Sequence, residues 1–393
     1  MFAVRRLREE VFQLCHGCVT VWPRTRRLLF DPAWSRGRVE RRCVMVGRRE
    51  LIRRGFGVVA AVAVGDVLAA CAPAAVSAPS ATPIPAPSAT PLPPPETKTL
   101  RLSLGPCDAP LMISERYLQD EGFTDIQFDS PGLAGLTGGK TDLAGMFMPT
   151  LATAVDGGKA VIGLGGLHTG CSEFWTPQSV ATLKDVRGHT VVVNAKTPDN
   201  LGYSMIAMAL KNAGVDPSEV NFVVQPDADL TKLFLDGKSD LLFLATTGAF
   251  AFETNPANKG HIALDQAKDP PWSQQDCCVL TVTTDWLRAN PVAAKRALRA
   301  IYRAADSLPK DRADAAKVAT DKGLFGGAKN VELVRGASNM VPYDWRTYDV
   351  AASMRFHAQL LNAASLLKFT PDEAVTKATD LRFAKELAIE LKR

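Results

Sequence analysis

The sequence predicts an α/β fold class: two lobes joined by a hinge, with a ligand cleft between them. Three observations carry that expectation. Short β-rich segments alternate with helical patterns from Thr99 onward, the alternation restarts once near Thr190, and beyond Thr284 the pattern is mostly helical, as a chain returning to its first lobe requires. With 393 residues and 46% hydrophobic side chains, the chain can build one large core or two medium ones.

The first 98 residues are of a different kind. Residues 1–70 hold 14 arginines, no lysine and six acidic residues, whereas the rest of the chain is slightly acidic, so the overall charge of +5 belongs to the leader. A nucleic-acid partner thereby loses its main support. Residues 1–44 lack any sustained helical or strand period, and Cys15-x-x-Cys18 beside His16 has no second ligand pair at zinc-finger spacing. They read as an upstream extension, with the natural start at Met45.

From Met45 the chain runs through Arg48-Arg49-Glu50-Leu51-Ile52 and Arg53-Arg54, then through 16 residues, 55–70, that are apolar except for Asp66. A membrane-spanning helix needs about 20 such residues. Residues 45–70 are therefore expected to be a signal peptide, with Arg48 and Arg49 resembling a twin-arginine export signal. Leu68-Ala69-Ala70-Cys71 resembles a lipoprotein box, in which the Cys71 thiol would be acylated and become the mature N-terminus. Each buried CH₂ of such chains contributes about 0.8 kcal/mol, so the expected location is extracytoplasmic, lipid-anchored to the membrane. Residues 71–98 then form a tether, in which Ala78-Pro79-Ser80-Ala81-Thr82-Pro83 is repeated eight residues later. That composition favours extended polyproline II of about 3 Å per residue.

In the folded part, residues 100–104, 125–128, 142–147 and 160–167 read as strands of a parallel sheet, with helices expected at 111–122 and 149–155. A second unit follows: strands at 190–193, 221–225 and 240–244, and helices at 200–213 and 230–235. A strand at 277–283 precedes helical patterns that include 292–308 and 346–367. The expected division is a first lobe of about 99–185 with 280–393, and a second of about 188–275.

Three segments then resemble one family. Residues 183–193, Leu-Lys-Asp-Val-Arg-Gly-His-Thr-Val-Val-Val, are similar to the LKDLKGKTVAV signature of nitrate, sulfonate and taurine-class substrate-binding proteins of ABC transporters. Residues 233–241 resemble that class's passage from helix to strand, and residues 284–291 its helix after the hinge. Binders of thiamine pyrimidine precursors belong to the same superfamily. The resemblance implies a periplasmic binding protein type II fold and a solute-binding lipoprotein. Such a protein would capture a small organic molecule and deliver it to a permease with its ATPase, as a monomer and without enzymatic activity. Two alternatives stay open: an enzyme on the same fold related to pyrimidine synthesis, and a metal or redox receptor. The sequence carries no GxSxG elbow, P-loop, HExxH helix or clear pair of carboxylates, and the reading assigns no cofactor and no metal.

If that architecture holds, the strand-end loops line the cleft and supply the ligand contacts. The candidates are Cys107 and Asp108; Phe147, Met148 and Thr150; His168, Cys171, Glu173 and Trp175; Lys196 and Asn200; Thr246; and Cys277 and Cys278. Structural roles compete: Asp108 as a helix cap, Phe147 and Met148 as core, His168 as a satisfied histidine, Lys196 as a solvated charge. No arginine cluster occurs in these loops, which favours a small polar organic ligand over a multiply charged anion. The four cysteines left after Cys71 all fall in these loops. A Cys107–Cys171 disulfide, buried free thiols and soft-metal binding with His168 are the readings to separate.

Overall fold

The computed structural model describes residues 92–392, side chains of 310–313 aside, together with a two-residue pairing of Leu14–Cys15 with Cys18–Val19. The export segment, with Arg48 and Arg49, and Cys71 lie outside the described residues. No described helix is long and apolar enough to cross a membrane.

The first lobe is built on a five-stranded sheet of β1 (Thr99–Ser103), β2 (Asp125–Asp129), β3 (Leu143–Phe147), β4 (Val161–Thr169) and β10 (Asp276–Thr283), in the order β2-β1-β3-β10-β4. β1 runs parallel to both neighbours, but β10 is antiparallel to β3 and β4. The sheet is thus mixed rather than parallel, because β10 brings the chain back from the second lobe. Leu100 and Leu102 of β1 are wholly buried, whereas edge strand β2 alternates and turns only Ile126 and Phe128 inward. The helix expected over 111–122 is two short ones, α1 (Ala109–Met112) and α2 (Glu115–Asp120), divided at Ile113 and Ser114. α3 (Gly132–Thr137) and α4 (Met148–Asp156) flank β3.

The chain changes sheets after Gly170, earlier than the lobe edge near 185 read from the sequence. β5 (Ser172–Pro177) already pairs with second-lobe strands β8 (Leu242–Ala245) and β9 (Gly260–Asp265), both antiparallel. β6 (Thr190–Val193) and β7 (Asn221–Val224) pair in parallel, and Asp240 N–H donates to Thr190 O at 2.8 Å, stitching β6 to the segment leading into β8. α5 (Leu201–Asn212), α6 (Leu230–Leu235) and α7 (Thr246–Glu253) complete this unit. The sequence marks neither 172–177 nor 260–265 as a strand: the first follows Gly170 and opens on polar Ser172 and Glu173, and the second follows a polar loop without clean alternation.

The chain returns through residues 266–275 beside its outward crossing. A Cβ on Gly170 would lie 2.3 Å from Ala267 N, so only glycine admits this close passage of the two segments. α8 (Thr284–Ala289) and the 31-residue α9 (Pro291–Asp321) follow. α9 packs on α1 and α2 and buries Ala293, Ala297, Ala300, Ile301 and Leu308 in the first-lobe core, its small residues allowing close approach. Its N-terminus has no cap of its own. The Glu96 carboxylate instead accepts from Val292 and Ala293 N–H at 2.9 and 2.8 Å, and Arg296 donates to the carbonyls of Leu92 and Pro93. The end of the Pro-rich tether is thus docked on the first lobe.

The remaining helices are α10 (Val331–Asn339), α11 (Val350–Ala363), α12 (Pro371–Ala378) and α13 (Arg382–Glu390). α11 begins at Val350, not near 346, because Asp349 accepts from Ala351 and Ala352 N–H. It packs on α4 of the first lobe and α5 of the second, so one apolar core runs through Met148, Leu151, Ile206, Leu210, Met354 and Leu361.

Candidate functional site

The C-terminal ends of β1 and β4 and the start of β10 converge at the double crossing. Cys107 lies between β1 and α1, His168 near the end of β4, Cys171 at the turn into β5, and Cys277 and Cys278 at the start of β10. All are buried. Adjacent strand residues ordinarily face opposite ways. Here the register between β10 and β4 slips on both sides of Cys278, and this irregularity lets Cys277 and Cys278 join one cluster. All four cysteines are free, so no Cys107–Cys171 bridge is formed, and the Cys171 and Cys277 sulfurs lie 3.2 Å apart.

Asp108 is the second buried feature. It precedes α1 but does not cap it with its side chain. Its Oδ2 accepts from Gly105 N–H at 2.6 Å, and its Oδ1 lies 3.6 Å from His168 Nε2. A Cβ on Gly145 would fall 2.2 Å from Asp108 Oδ2, and one on Gly166 would fall 2.4 Å from the Asp276 carboxylate, so bare strand backbone makes room for both acids. The His168 Nδ1–H donates to Thr169 O at 2.9 Å, so Nε2 is the ring nitrogen turned toward Asp108 and the thiols.

The charges of this interior are interdependent. Hydrogen bonds from Cys171 and Cys278 hold the Cys107 thiol well below its usual range, against burial and with help from His168. Burial pushes Cys171 and Cys278 up. For His168, burial works downward, but the Cys107 and Asp108 charges outweigh it and hold the ring well above its ordinary value. Burial, then the Cys107 charge, pushes Asp108 up to about 6. Burial raises Asp276 to about 7 and Glu173 to about 7. The site is thus rich in acids and thiols and, among the described residues, holds no buried arginine or lysine.

Several buried polar atoms at the crossing have no hydrogen-bond partner: Thr169 Oγ1, Ser172 Oγ, both amide atoms of Gln266, Asp276 Oδ2 and His168 Nε2. Buried polar atoms are nearly always paired, so such a concentration marks a place shaped for polar company. The second lobe meets it at Thr246, whose N–H donates to Cys171 O at 2.8 Å and whose φ of 48° is a strained value for a β-branched residue.

The other candidates are dispersed. Phe147 stands opposite Cys278 in the sheet and is half-buried against the first core. Met148 is wholly buried in the core shared by both lobes, and Thr150 is half-buried on α4. Glu173 and Trp175 lie on strand β5, not in a loop. Trp175 Nε1–H donates to Glu173 Oε2 at 2.9 Å, and its ring packs with Phe234, Leu242 and Phe252 in a small core. Lys196 is exposed, with its ammonium 5.4 Å from the Phe222 ring centre, and Asn200 caps α5 by accepting from Tyr203 N–H. A groove of about 630 Å³, lined by Thr153, Asp156, Pro198, Asp199 and Lys368 among others, lies away from the thiols.

The sequence reading missed the contributions of the C-terminal helices. Tyr343 Oη–H donates to Cys107 O at 2.6 Å while its ring meets His168 edge-on at 5.6 Å. Ser353 Oγ accepts from Asp276 N–H, and His357 Nε2–H donates to Asp276 O. Burial lowers His357. No local pattern announces these partners, which lie some 80 to 240 residues from what they touch.

Two lobes around a double crossing, with the C-terminal helices returning to the first, are what the solved structures match. The fold is that of the periplasmic binding proteins. The nitrate-binding protein NrtA of Synechocystis PCC 6803 superposes with a TM-score of 0.57 at 17% identity, covering 76% of this chain and 90% of that one. The alkanesulfonate-binding protein SsuA of Xanthomonas axonopodis pv. citri, bound to MOPS, gives 0.54 at 16% identity over 72% and 99%. The aliphatic sulphonate-binding protein SsuA of Escherichia coli gives 0.56 at 15% over 71% and 91%. Residues 127–315 match the family model described as NMT1/THI5 like. A search of curated protein sequences returned no match. The expected resemblance to ABC-transporter substrate-binding proteins of the nitrate and sulfonate class therefore stands, from both the family model and the fold.

Proposed function

We propose that the chain is an extracytoplasmic solute-binding lipoprotein, anchored through Cys71 after twin-arginine export, that captures a small polar molecule and passes it to an ABC-type permease. The observation that carries this reading is the set of unpartnered buried polar atoms at the double crossing, where both lobes meet. A ligand held there touches both lobes, and closure on it is the hinge movement by which such folds signal occupancy. The fold of SsuA and NrtA supports the same reading.

The ligand class follows from the charge of the interior. Asp108, Glu173 and Asp276 are buried, among the described residues no buried arginine or lysine faces them, and the His168 charge is already matched by Cys107 and Asp108, so a neutral or cationic molecule fits and an anion such as nitrate or a sulfonate does not. The candidate contacts nearest the crossing are Asp108, His168, Glu173 and Thr246. Phe147, Thr150, Lys196 and Asn200 would be engaged only from the rim.

The test is a thermal-shift screen of the full chain in detergent against amines, neutral pyrimidines, nitrate and sulfonates. A ligand at 100 times its dissociation constant stabilises the native state by about 2.7 kcal/mol. A shift with amines or pyrimidines and none with anions is expected; a shift confined to anions, or chemical consumption of the ligand, would refute the proposal. Cys71→Ser should move the protein from the membrane fraction to the soluble one, and retention on the membrane would remove the anchor from the reading.

A further inference from the structure

The cysteine cluster has a chemistry that capture of an organic solute does not use. Cys107 Sγ, Cys171 Sγ, Cys278 Sγ and one nitrogen of His168 all lie within 4.8 Å of one another, and all four residues are buried. We propose that these four side chains bind a thiophilic d¹⁰ cation, Zn(II) or Cu(I), inside the first lobe.

Three features argue for a built site. The first is ligand count and type: three thiols and one imidazole are a tetrahedral zinc set, and thiolates select Zn(II) and Cu(I) over Mg(II) and Ca(II). With Zn–S bonds of about 2.3 Å, tetrahedral sulfurs stand about 3.8 Å apart, so the cluster needs to contract by about 1 Å at most.

The second is the orientation of the histidine. A metal-bound imidazole usually donates its other N–H to a carbonyl or carboxylate, which fixes the tautomer and aims the lone pair. His168 does this in advance, donating from Nδ1 to Thr169 O at 2.9 Å, while Nε2 is buried without a hydrogen-bond partner. Its nearest ionic neighbour, Asp108 Oδ1, is 3.6 Å away, beyond hydrogen-bonding distance. This orphaned nitrogen points to a ligand independently of the thiols.

The third is the support around the ligands. Tyr343 holds the Cys107 carbonyl at 2.6 Å, the Thr246 amide holds the Cys171 carbonyl at 2.8 Å, and the register slips at Cys278 turn its thiol to the cluster. The backbone of each thiol ligand is thus fixed by a different element.

A Cys171–Cys277 disulfide is the competing use of the same sulfurs, because their 3.2 Å separation is about 1.2 Å above a disulfide bond length. The two uses make opposite demands on residue 277. A disulfide needs Cys277 and has no use for His168 or Cys278, whereas the metal needs His168 and Cys278 and can dispense with Cys277.

The full chain, purified in detergent with a non-thiol reductant and without chelator, is to be stripped and titrated separately with Zn(II), Cu(I) and Ca(II), with bound metal read by elemental analysis. Stoichiometric binding of Zn(II) or Cu(I) and none of Ca(II) is expected, and the arm that binds tighter in competition names the cation. Co(II) should give thiolate charge-transfer and tetrahedral ligand-field bands. Affinity should fall at least about 100-fold in Cys278→Ser and His168→Gln but stay within about threefold of the parent in Cys277→Ser. Failure of the parent chain to bind either cation overturns the proposal, whatever the variants do. So does equal weakening in Cys277→Ser and Cys278→Ser, or a metal-free native protein whose intact mass and peptide map show Cys171 joined to Cys277. Both proposals call on His168, so the organic screen is run on the stripped chain and the metal titration without organic ligand, and the two proposals fail separately.

Discussion

Glu173→Gln should make the protein more stable in mild alkali while leaving it unchanged in acid. Glu173 is 2% exposed on β5, accepts one hydrogen bond, from Trp175 Nε1, and feels the like charges of Asp265 and Glu253. Burial foremost pushes its carboxyl up from 4.5 to about 7. The unfolded chain releases this proton near pH 4.5 and the folded chain only near 7. The stabilisation is therefore complete below about pH 4.5, declines across the interval and is lost above about 7. At about 1.4 kcal/mol per pH unit the interval amounts to about 3 kcal/mol. Glutamine keeps a carbonyl for the Trp175 N–H and cannot ionise. Urea unfolding at pH 4.5, 5.5, 6.5 and 8 should give the variant no advantage at the first pH and up to about 3 kcal/mol at the last. Other buried acids titrate equally in both proteins and cancel in the difference. A difference that does not change with pH, or a variant less stable at pH 8, would refute the reasoning.

Three further outcomes follow from particular contacts. Glu121, 4% exposed, accepts from Arg299 at 2.7 and 2.5 Å and from Arg296 at 3.2 Å; Glu121→Gln should lose about 2–3 kcal/mol, below the fully buried range because both arginines are partly wetted, read as a lower urea midpoint. Glu96→Ala should cost about 1 kcal/mol by uncapping α9 and should expose the tether near Leu92 to limited proteolysis; unchanged cleavage would show that the docking of the tether does not depend on this cap. Gly145→Ala places a methyl group 2.2 Å from Asp108 Oδ2 in a strand held on both sides, and should cost about 1–3 kcal/mol with a changed near-ultraviolet spectrum around Tyr343; full stability would mean that Asp108 can leave its seat freely.

Local chemistry made much of the fold legible. Asn200 caps α5 with its side chain where the pattern places that helix's start, and Leu100 with Leu102, or Val191 with Val193, mark strands by burial patterns that short windows reveal. The reading failed where neighbours override the window. β5 carries Glu173 and Thr176 in buried positions and reads as a loop in any short window, because the strands on either side of it come from residues 242–265. The split of 111–122 into α1 and α2 likewise follows tertiary demands: Ser114 is wholly buried and bonds back to Leu111 O.

The sequence alone determined the order of the parts: an arginine-rich leader, a Pro-rich spacer, two α/β units and a helical return. It also placed every remaining cysteine at a strand end, since each of these signals is carried by residues within about ten positions of one another. The tertiary structure decided which of those residues meet. It gathered Cys107, His168, Cys171, Cys277 and Cys278 into one buried cluster, sent Trp175 and Met148 into cores, left Lys196 in solvent, and supplied Tyr343, Ser353 and His357 from the far end of the chain. The physical reason is that a double crossing brings together segments some 60 to 240 residues apart, and burial, register and hydrogen-bond pairing at such a point depend on all of them at once.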